Sequence, residues 1–189
     1  MQTEAWESAC ANGRYVTGAM YKEVNGSRPN VSWKNLLRGN WARPRAMFVL
    51  WLACHNRLNK KDRVERYGIV TDGKCSFCDA NETCDHLLFQ CKVTGGIWKQ
   101  MLEWQREDHT PQNWEAELKW ILMAGKGKSQ RAKLMRLCAA ETVYYIWMAR
   151  NMRVFQQEHG PELNMLDIVE VIKERLTLDN KLRTYCSTL

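Results

Sequence analysis

The sequence predicts a mainly α-helical protein, a helical domain stapled by a metal site and followed by a C-terminal helical extension. Three observations predict it. Apolar residues recur at helical spacing in one segment after another beyond position 94. No convincing run of alternating strand residues occurs. One short stretch, "KCSFCDANETCDHLLFQCK" from Lys74 to Lys92, gathers four of the eight cysteines and one of the four histidines.

The 189 residues fit one domain with an extension, and a hydrophobic content of 45% supplies a sizeable core. Residues 13–105, centred on the cysteine-rich stretch, read as the metal-stapled domain, and residues 106–189 as a helical region packing on it. Gly13 to Gly26 is a short amphipathic piece ending in the turn-rich "NGSRPN". A helix is expected from Ser32 to Arg38, with Ser32 as N-cap. "ARPRAMFVLWLACHNRL" follows; Pro44 suits a first helical turn, and the apolar residues cover more than one face, so this helix should be central. "KKDRVERYG" reads as a short polar helix closed by Gly68, and "TDGK" as the turn into the cysteine-rich loop. "GGIWKQMLEW" sets Ile97, Met101 and Trp104 on one face, and "NWEAELKWILM" repeats the period with Trp114, Leu118, Ile121 and Leu122. Ser129 to His159 lacks proline and glycine and can form one long helix. "ELNMLDIVEVIKERLTL" ends the series before a polar tail. Of the nine tryptophans, Trp33, Trp41, Trp51, Trp98, Trp104 and Trp147 sit among aliphatic residues, where core packing explains them more cheaply than ligand stacking.

Within the cysteine-rich stretch, Cys75 and Cys78 form a C-x2-C pair, His86 follows, and Cys91 closes the pattern C-x2-C-x7-H-x4-C. Three thiolates and one imidazole suit a single Zn²⁺ in a closed tetrahedron, which makes the ion structural. Glu82 and Thr83 can open a short helix that carries His86 inward, while Leu87, Leu88 and Phe89 pack on the core. On an α-helix, positions five apart differ by about 140°, so Cys91 must lie beyond the last turn. Cys84 is a spare thiol that would replace a ligand in another register.

The net charge of +7 is concentrated. Lys34 to Arg66 holds nine Lys/Arg against Asp62 and Glu65, and Lys126 to Arg136 holds five Lys/Arg and no acid. Such clusters are either a phosphate-binding footprint or a solvated helix face. The longest apolar run, Ala46 to Cys54, is about half of a membrane span, so no membrane insertion is expected. "MQTEAWESAC" lacks the features of a secretory signal. Eight cysteines without an export signal favour metal ligation and buried thiols over disulfides, and a nuclear or cytoplasmic setting.

The order "VSWKNLLRG…ARPRAMFVLWLACHNRLNKKDRVERYGI…CSFCDANETCDHLLFQC…IWKQML" resembles the reverse-transcriptase zinc-binding domain (zf-RVT) of plant non-LTR, LINE-type retrotransposons. The resemblance covers about half the chain, and "IWMARNMRVF" (Ile146 to Phe155) is similar to the region that often follows the domain. It implies a zinc-stabilised helical module derived from a retroelement, standing alone or domesticated, with metal ligands at Cys75, Cys78, His86 and Cys91. One departure is "NKKDR", where the family commonly has a threonine before "DR"; this segment is more basic. Base-contacting residues do not transfer.

No polymerase aspartate pair, ribonuclease H acidic cluster, endonuclease Asp/His set or Gly-rich phosphate loop is recognisable, and His55, His109 and His159 have no nucleophile or carboxylate partner in sequence. A non-enzyme is expected. Two functions stay open. One is binding of RNA or single-stranded nucleic acid through phosphate contacts from residues such as Lys60, Lys61, Arg63 and Arg66. The other is a protein-interaction role (adaptor, inhibitor, or toxin/antidote component) or self-association through the C-terminal helices, Ser129–His159 and Glu162–Leu178.

Overall fold

The computed structural model describes residues 10–11, 14–26, 30–155 and 162–189. The chain forms two compact units, residues 1–32 and 33–189. In the first, β1 (Cys10–Ala11) pairs antiparallel with β2 (Arg14–Tyr15), and α1 (Thr17–Asn25) buries none of its residues. Gly13 and positions 27–29 of the expected turn lie outside the described residues.

The second unit is helical, as its periodicity predicts. Its elements are α2 (Lys34–Leu37), α3 (Pro44–Cys54), α4 (Lys61–Glu65), a π-helical turn (His86–Gln90), α5 (Thr94–Trp104), α6 (Trp114–Ala124), α7 (Gln130–Phe155), α8 (Met165–Leu176) and α9 (Asn180–Cys186). Two differences from expectation stand out. Helix α2 begins at Lys34 with Trp33 at its N-cap, so Ser32 caps nothing. The supposed polar tail folds as α9: Asp179 caps it by accepting from the Lys181 and Leu182 N–H groups, and Leu182 is buried. Lys181, Arg183 and Thr184 hide the short apolar face in the sequence.

Helix α7 is the axis of the unit, and α3, α5, α6, α8 and α9 all pack on it. Cys138, Ala139, Ala140, Glu141 and Thr142 in its middle are buried in succession, which accounts for the weak periodicity of a helix covered on most sides. Small residues on both partners, Ala46 and Ala53 on α3 and Ala139 and Ala140 on α7, leave room for close packing. His159 lies outside the described residues. Every tryptophan from Trp33 onward is buried or half-buried, Trp98 almost completely.

Three buried carboxylates tie the helices together. Glu141 accepts from the Arg43 backbone N–H (2.8 Å) and from its Nε (2.9 Å) and Nη2 (2.7 Å), fixing the start of α3 to α7. Glu117 accepts from Trp98 Nε1 (2.7 Å) and the Gln112 N–H (3.0 Å) and sits 3.0 Å from His109 Nε2. His109 also stacks on Trp120 at 3.8 Å between ring centres, and is therefore a packed residue. Glu82 serves the metal loop. A buried carboxylate persists only when its lone pairs are occupied, and all three meet that condition.

Candidate metal centre

The site is assembled from a loop and one wide turn. Loop residues Gly73 to Glu82 close on themselves: Glu82 N–H donates to the Gly73 carbonyl (2.9 Å) and Cys75 N–H to the Ala80 carbonyl (2.7 Å). This doubles the chain back between Cys75 and Cys78, and the Phe77 N–H turns toward the Cys75 sulfur at 3.4 Å. Thr83 then caps the next turn, its Oγ1 accepting from the His86 N–H (3.1 Å).

From His86 to Gln90 the backbone winds as a π-helix rather than the α-helix the sequence suggests, and the Cys91 N–H reaches the His86 carbonyl at 2.8 Å. The i→i+5 bond of a π-turn is wider than an α-turn and sets the fifth residue back near the first. That resolves the H-x4-C spacing: Cys91, in extended conformation at the end of the turn, still comes round to His86. The same turn sends Leu87, Leu88 and Phe89 into the core, with Phe89 stacked on Trp114. Thr94 Oγ1 donates to the Leu87 carbonyl (2.6 Å), satisfying an acceptor that the wide turn frees. Gly95 lies so close that a Cβ there would stand 2.3 Å from the Phe89 carbonyl oxygen.

The result brings together the four residues expected from spacing. One ligand atom each from Cys75, Cys78, His86 and Cys91 lies within 4.8 Å of all the others. Cys78 Sγ is 3.8 Å from Cys91 Sγ and 3.1 Å from His86 Nε2. A tetrahedron with Zn–S bonds of about 2.3 Å has sulfur–sulfur edges of about 3.8 Å, so the donor set and its spacing fit zinc. Cys75 and Cys91 are buried, and Cys78 and His86 are partly exposed. The Cys91 thiol is pulled down to about 4, chiefly by a hydrogen bond from Cys75, with the Thr94 and Val93 N–H groups at the start of α5 adding to it. The same contact pushes Cys75 up.

Cys84 does not join the group. It belongs to the hydrophobic core, and burial pushes its thiol up to about 12. Cys54 is raised to about 12 for the same reason first, with Cys84 nearby adding to it. Both pack in or against the hydrophobic core, apart from the four clustered donor atoms.

What the sequence did not disclose is how the loop is gripped. Glu82, wholly buried, accepts from Arg150 Nη2 (2.7 Å) and Nε (3.1 Å) of α7 and from the Lys61 N–H (2.8 Å) of α4. Arg150 also lies over the Trp147 ring. One turn further on, Arg153 sits over the Phe77 ring at 4.6 Å and donates to the Ser76 carbonyl at 3.4 Å. Asp85 accepts from the Trp114 N–H (2.6 Å), joining the loop to α6. The arginines come from the "IWMARNMRVF" segment, so that stretch clasps the loop.

The four basic residues singled out before the loop have different surroundings. Lys60 is buried, bonded to Asn56 Oδ1 (3.1 Å) and 3.5 Å from Asp62. Lys61 pairs with Asp72 (2.7 Å). Arg63 donates to the Asn56 carbonyl (2.7 Å) and the Tyr67 hydroxyl (3.2 Å). Arg66 is exposed, and its side chain has no hydrogen bond or ion pair among the described residues. In the second basic run, Arg131 pairs with Glu107, Lys133 pairs with Asp179 (2.7 Å), and Arg136 donates to the Gly125 and Gly127 carbonyls. Only Lys126 and Lys128 of that run are exposed without such contacts among the described residues.

No helix among the described residues is long and apolar enough to cross a membrane. No curated protein and no solved structure matches the chain significantly. Residues 15–98 match the family model described as zinc-binding in reverse transcriptase, a zinc-binding rather than a catalytic family, and all four clustered ligands fall inside the match. Through this segment, a little under half of the chain, the protein is similar to that zinc-binding family (zf-RVT).

Proposed function

We propose that this protein is a non-catalytic module in which one structural Zn²⁺, held by Cys75, Cys78, His86 and Cys91, fixes a basic surface for nucleic acid. The ion closes the loop and leaves no coordination position for a substrate, since three thiolates and an imidazole complete a tetrahedron. Binding rests on phosphate contacts, with little base reading.

The observation that carries this reading is the unneutralised charge of the segment from Lys34 to Arg66. Arg38, Arg45, Arg57 and Arg66 are exposed, and none has a side-chain partner among the described residues. Cations without internal counter-charges are what a phosphate backbone recruits, with release of its condensed ions. Lys60 and Lys61 support the fold, so the test belongs on the four arginines. Reversing Arg38, Arg45, Arg57 and Arg66 to glutamate should weaken binding of a single-stranded oligonucleotide at least about tenfold and flatten its salt dependence. A reversed protein with native zinc content and unchanged binding would defeat the reading.

A second reading, docking of a protein partner, is favoured by one feature. Pro44, Arg45, Phe48, Val49, Tyr144 and Met148 line a mainly apolar groove between α3 and α7, and Phe48 stays 58% exposed. A complex that survives nuclease and high salt, and is lost on Phe48→Asp, would favour this reading over the first.

A further inference from the structure

We propose that the cleft over α4, lined by Asn56, Lys60, Asp62, Arg63, Arg66 and Tyr67, holds one unpaired nucleotide of a single strand, its phosphate on Arg66 and Arg63 and its base on the Tyr67 ring. The proposal rests on the nucleic-acid reading above and adds a location and a binding mode to it.

The cleft encloses about 400 Å³, within the range of small-ligand sites. Its charge does not cancel internally. Asp62 is 3.5 Å from the Lys60 ammonium and answers that cation, while both guanidinium groups remain without a carboxylate. Arg63 is held in place from two sides, by the Asn56 carbonyl and the Tyr67 hydroxyl. Its Nε, like Asp62 Oδ1, is enclosed and has no partner among the described residues, so the polar network is not closed by the protein itself. An anion between Arg63 and Arg66 would meet two guanidinium groups that no carboxylate among the described residues neutralises. A planar guanidinium fixed in this way suits the tetrahedral oxygens of a phosphate.

Charge alone would suit any anion; the aromatic edge narrows the class. Tyr67 is 68% exposed, and the Arg63 guanidinium lies 5.8 Å from its ring centre. Ile69 and Val70, both exposed, line a separate shallow cleft with Glu65 and Thr71, so Tyr67 is the aromatic wall of this one. An inorganic anion has no use for such a ring. A nucleotide uses both parts, phosphate on the cations and base on the ring, and a base can stack there only when it is unpaired. Gly68, at φ +78°, turns the chain just after Tyr67 and adds no side chain over the ring.

The test is fluorescence anisotropy with labelled oligo-uridine and oligo-thymidine of about a dozen nucleotides. It compares the full zinc-loaded chain with Tyr67→Ala, Tyr67→Phe, Arg66→Ala and, outside the cleft, Arg38→Ala. Tyr67→Ala should weaken binding at least about fivefold with the salt slope unchanged, and Tyr67→Phe, which keeps the ring and loses only the hydroxyl's hold on Arg63, should lose clearly less. Arg66→Ala should lower the salt slope by about one. Tyr67 and Arg66 are exposed, so far-ultraviolet circular dichroism and zinc content should match the parent. A duplex of the same sequence should compete poorly. Binding that ignores Tyr67→Ala and Arg66→Ala while Arg38→Ala weakens it would overturn the cleft and leave the nucleic-acid reading standing. No binding of either oligonucleotide would overturn both. Displacement of bound oligonucleotide by an acidic peptide, with no loss on Tyr67→Ala, would assign the cleft to a protein ligand and overturn the proposal.

Discussion

Replacing Arg150 with methionine removes the cation that holds the metal loop against α7 while keeping much of its volume. Glu82 would then stay fully buried with one of its three hydrogen bonds, that from the Lys61 N–H. Breaking a buried pair from one side costs about 3–5 kcal/mol, because the remaining charge has neither water nor partner. That is a large share of the roughly 5–15 kcal/mol that holds a typical domain, and at this size it lowers Tm by roughly 6–20 °C. Urea and thermal unfolding of the zinc-loaded protein, followed by circular dichroism, measure it. The double variant Glu82→Met with Arg150→Met should lose less than the two single changes together, since no charge is stranded, with a coupling above about 1 kcal/mol. Zinc transfer to a chelator should quicken in Arg150→Met, because Glu82 also anchors the loop through its N–H on the Gly73 carbonyl. An Arg150→Met protein within about 1 kcal/mol of the parent would refute the reasoning.

Two adjacent glycines make a controlled comparison in α5. Gly95→Ala forces a methyl against the Phe89 carbonyl, a backbone atom that cannot swing aside, and should cost about 1–3 kcal/mol and loosen zinc, whereas Gly96→Ala meets nothing within 4 Å and should be neutral or slightly stabilising; chemical unfolding and a zinc-competition assay separate them. Cys84→Ala should keep the full zinc content, and Cys75→Ser, Cys78→Ser or Cys91→Ser should lose it, as read by metal analysis after gel filtration.

The candidate donor cluster was legible because its chemistry survives in one dimension: a C-x2-C pair needs only a tight loop, and His86 and Cys91 follow within the same stretch. Helices α5 and α6 were legible from apolar spacing, and α3 from Pro44 and its unbroken hydrophobicity. What failed to show was partnership across long separations. Glu82 and Arg150 are 68 positions apart, and Arg43 and Glu141 are 98 apart. Each residue alone looks like an ordinary surface charge. Glu141 did carry a faint signal, an acid set in "LCAAETVYYIW" among small and apolar residues. The run from Lys126 to Arg136 misled in the opposite direction, because Glu107, Asp179 and two glycine carbonyls absorb three of its five cations. The π-turn has no propensity signature. It follows from holding His86 and Cys91 at one point while Leu87, Leu88 and Phe89 stay in the core.

The most direct test of the central claim is zinc X-ray absorption on the purified chain, read together with metal stoichiometry. The account predicts about one zinc per chain in a shell of three sulfurs at about 2.3 Å and one imidazole nitrogen at about 2.0 Å, with no water oxygen. A chain that holds no metal when folded, or a shell with fewer sulfurs and a bound water, would contradict it.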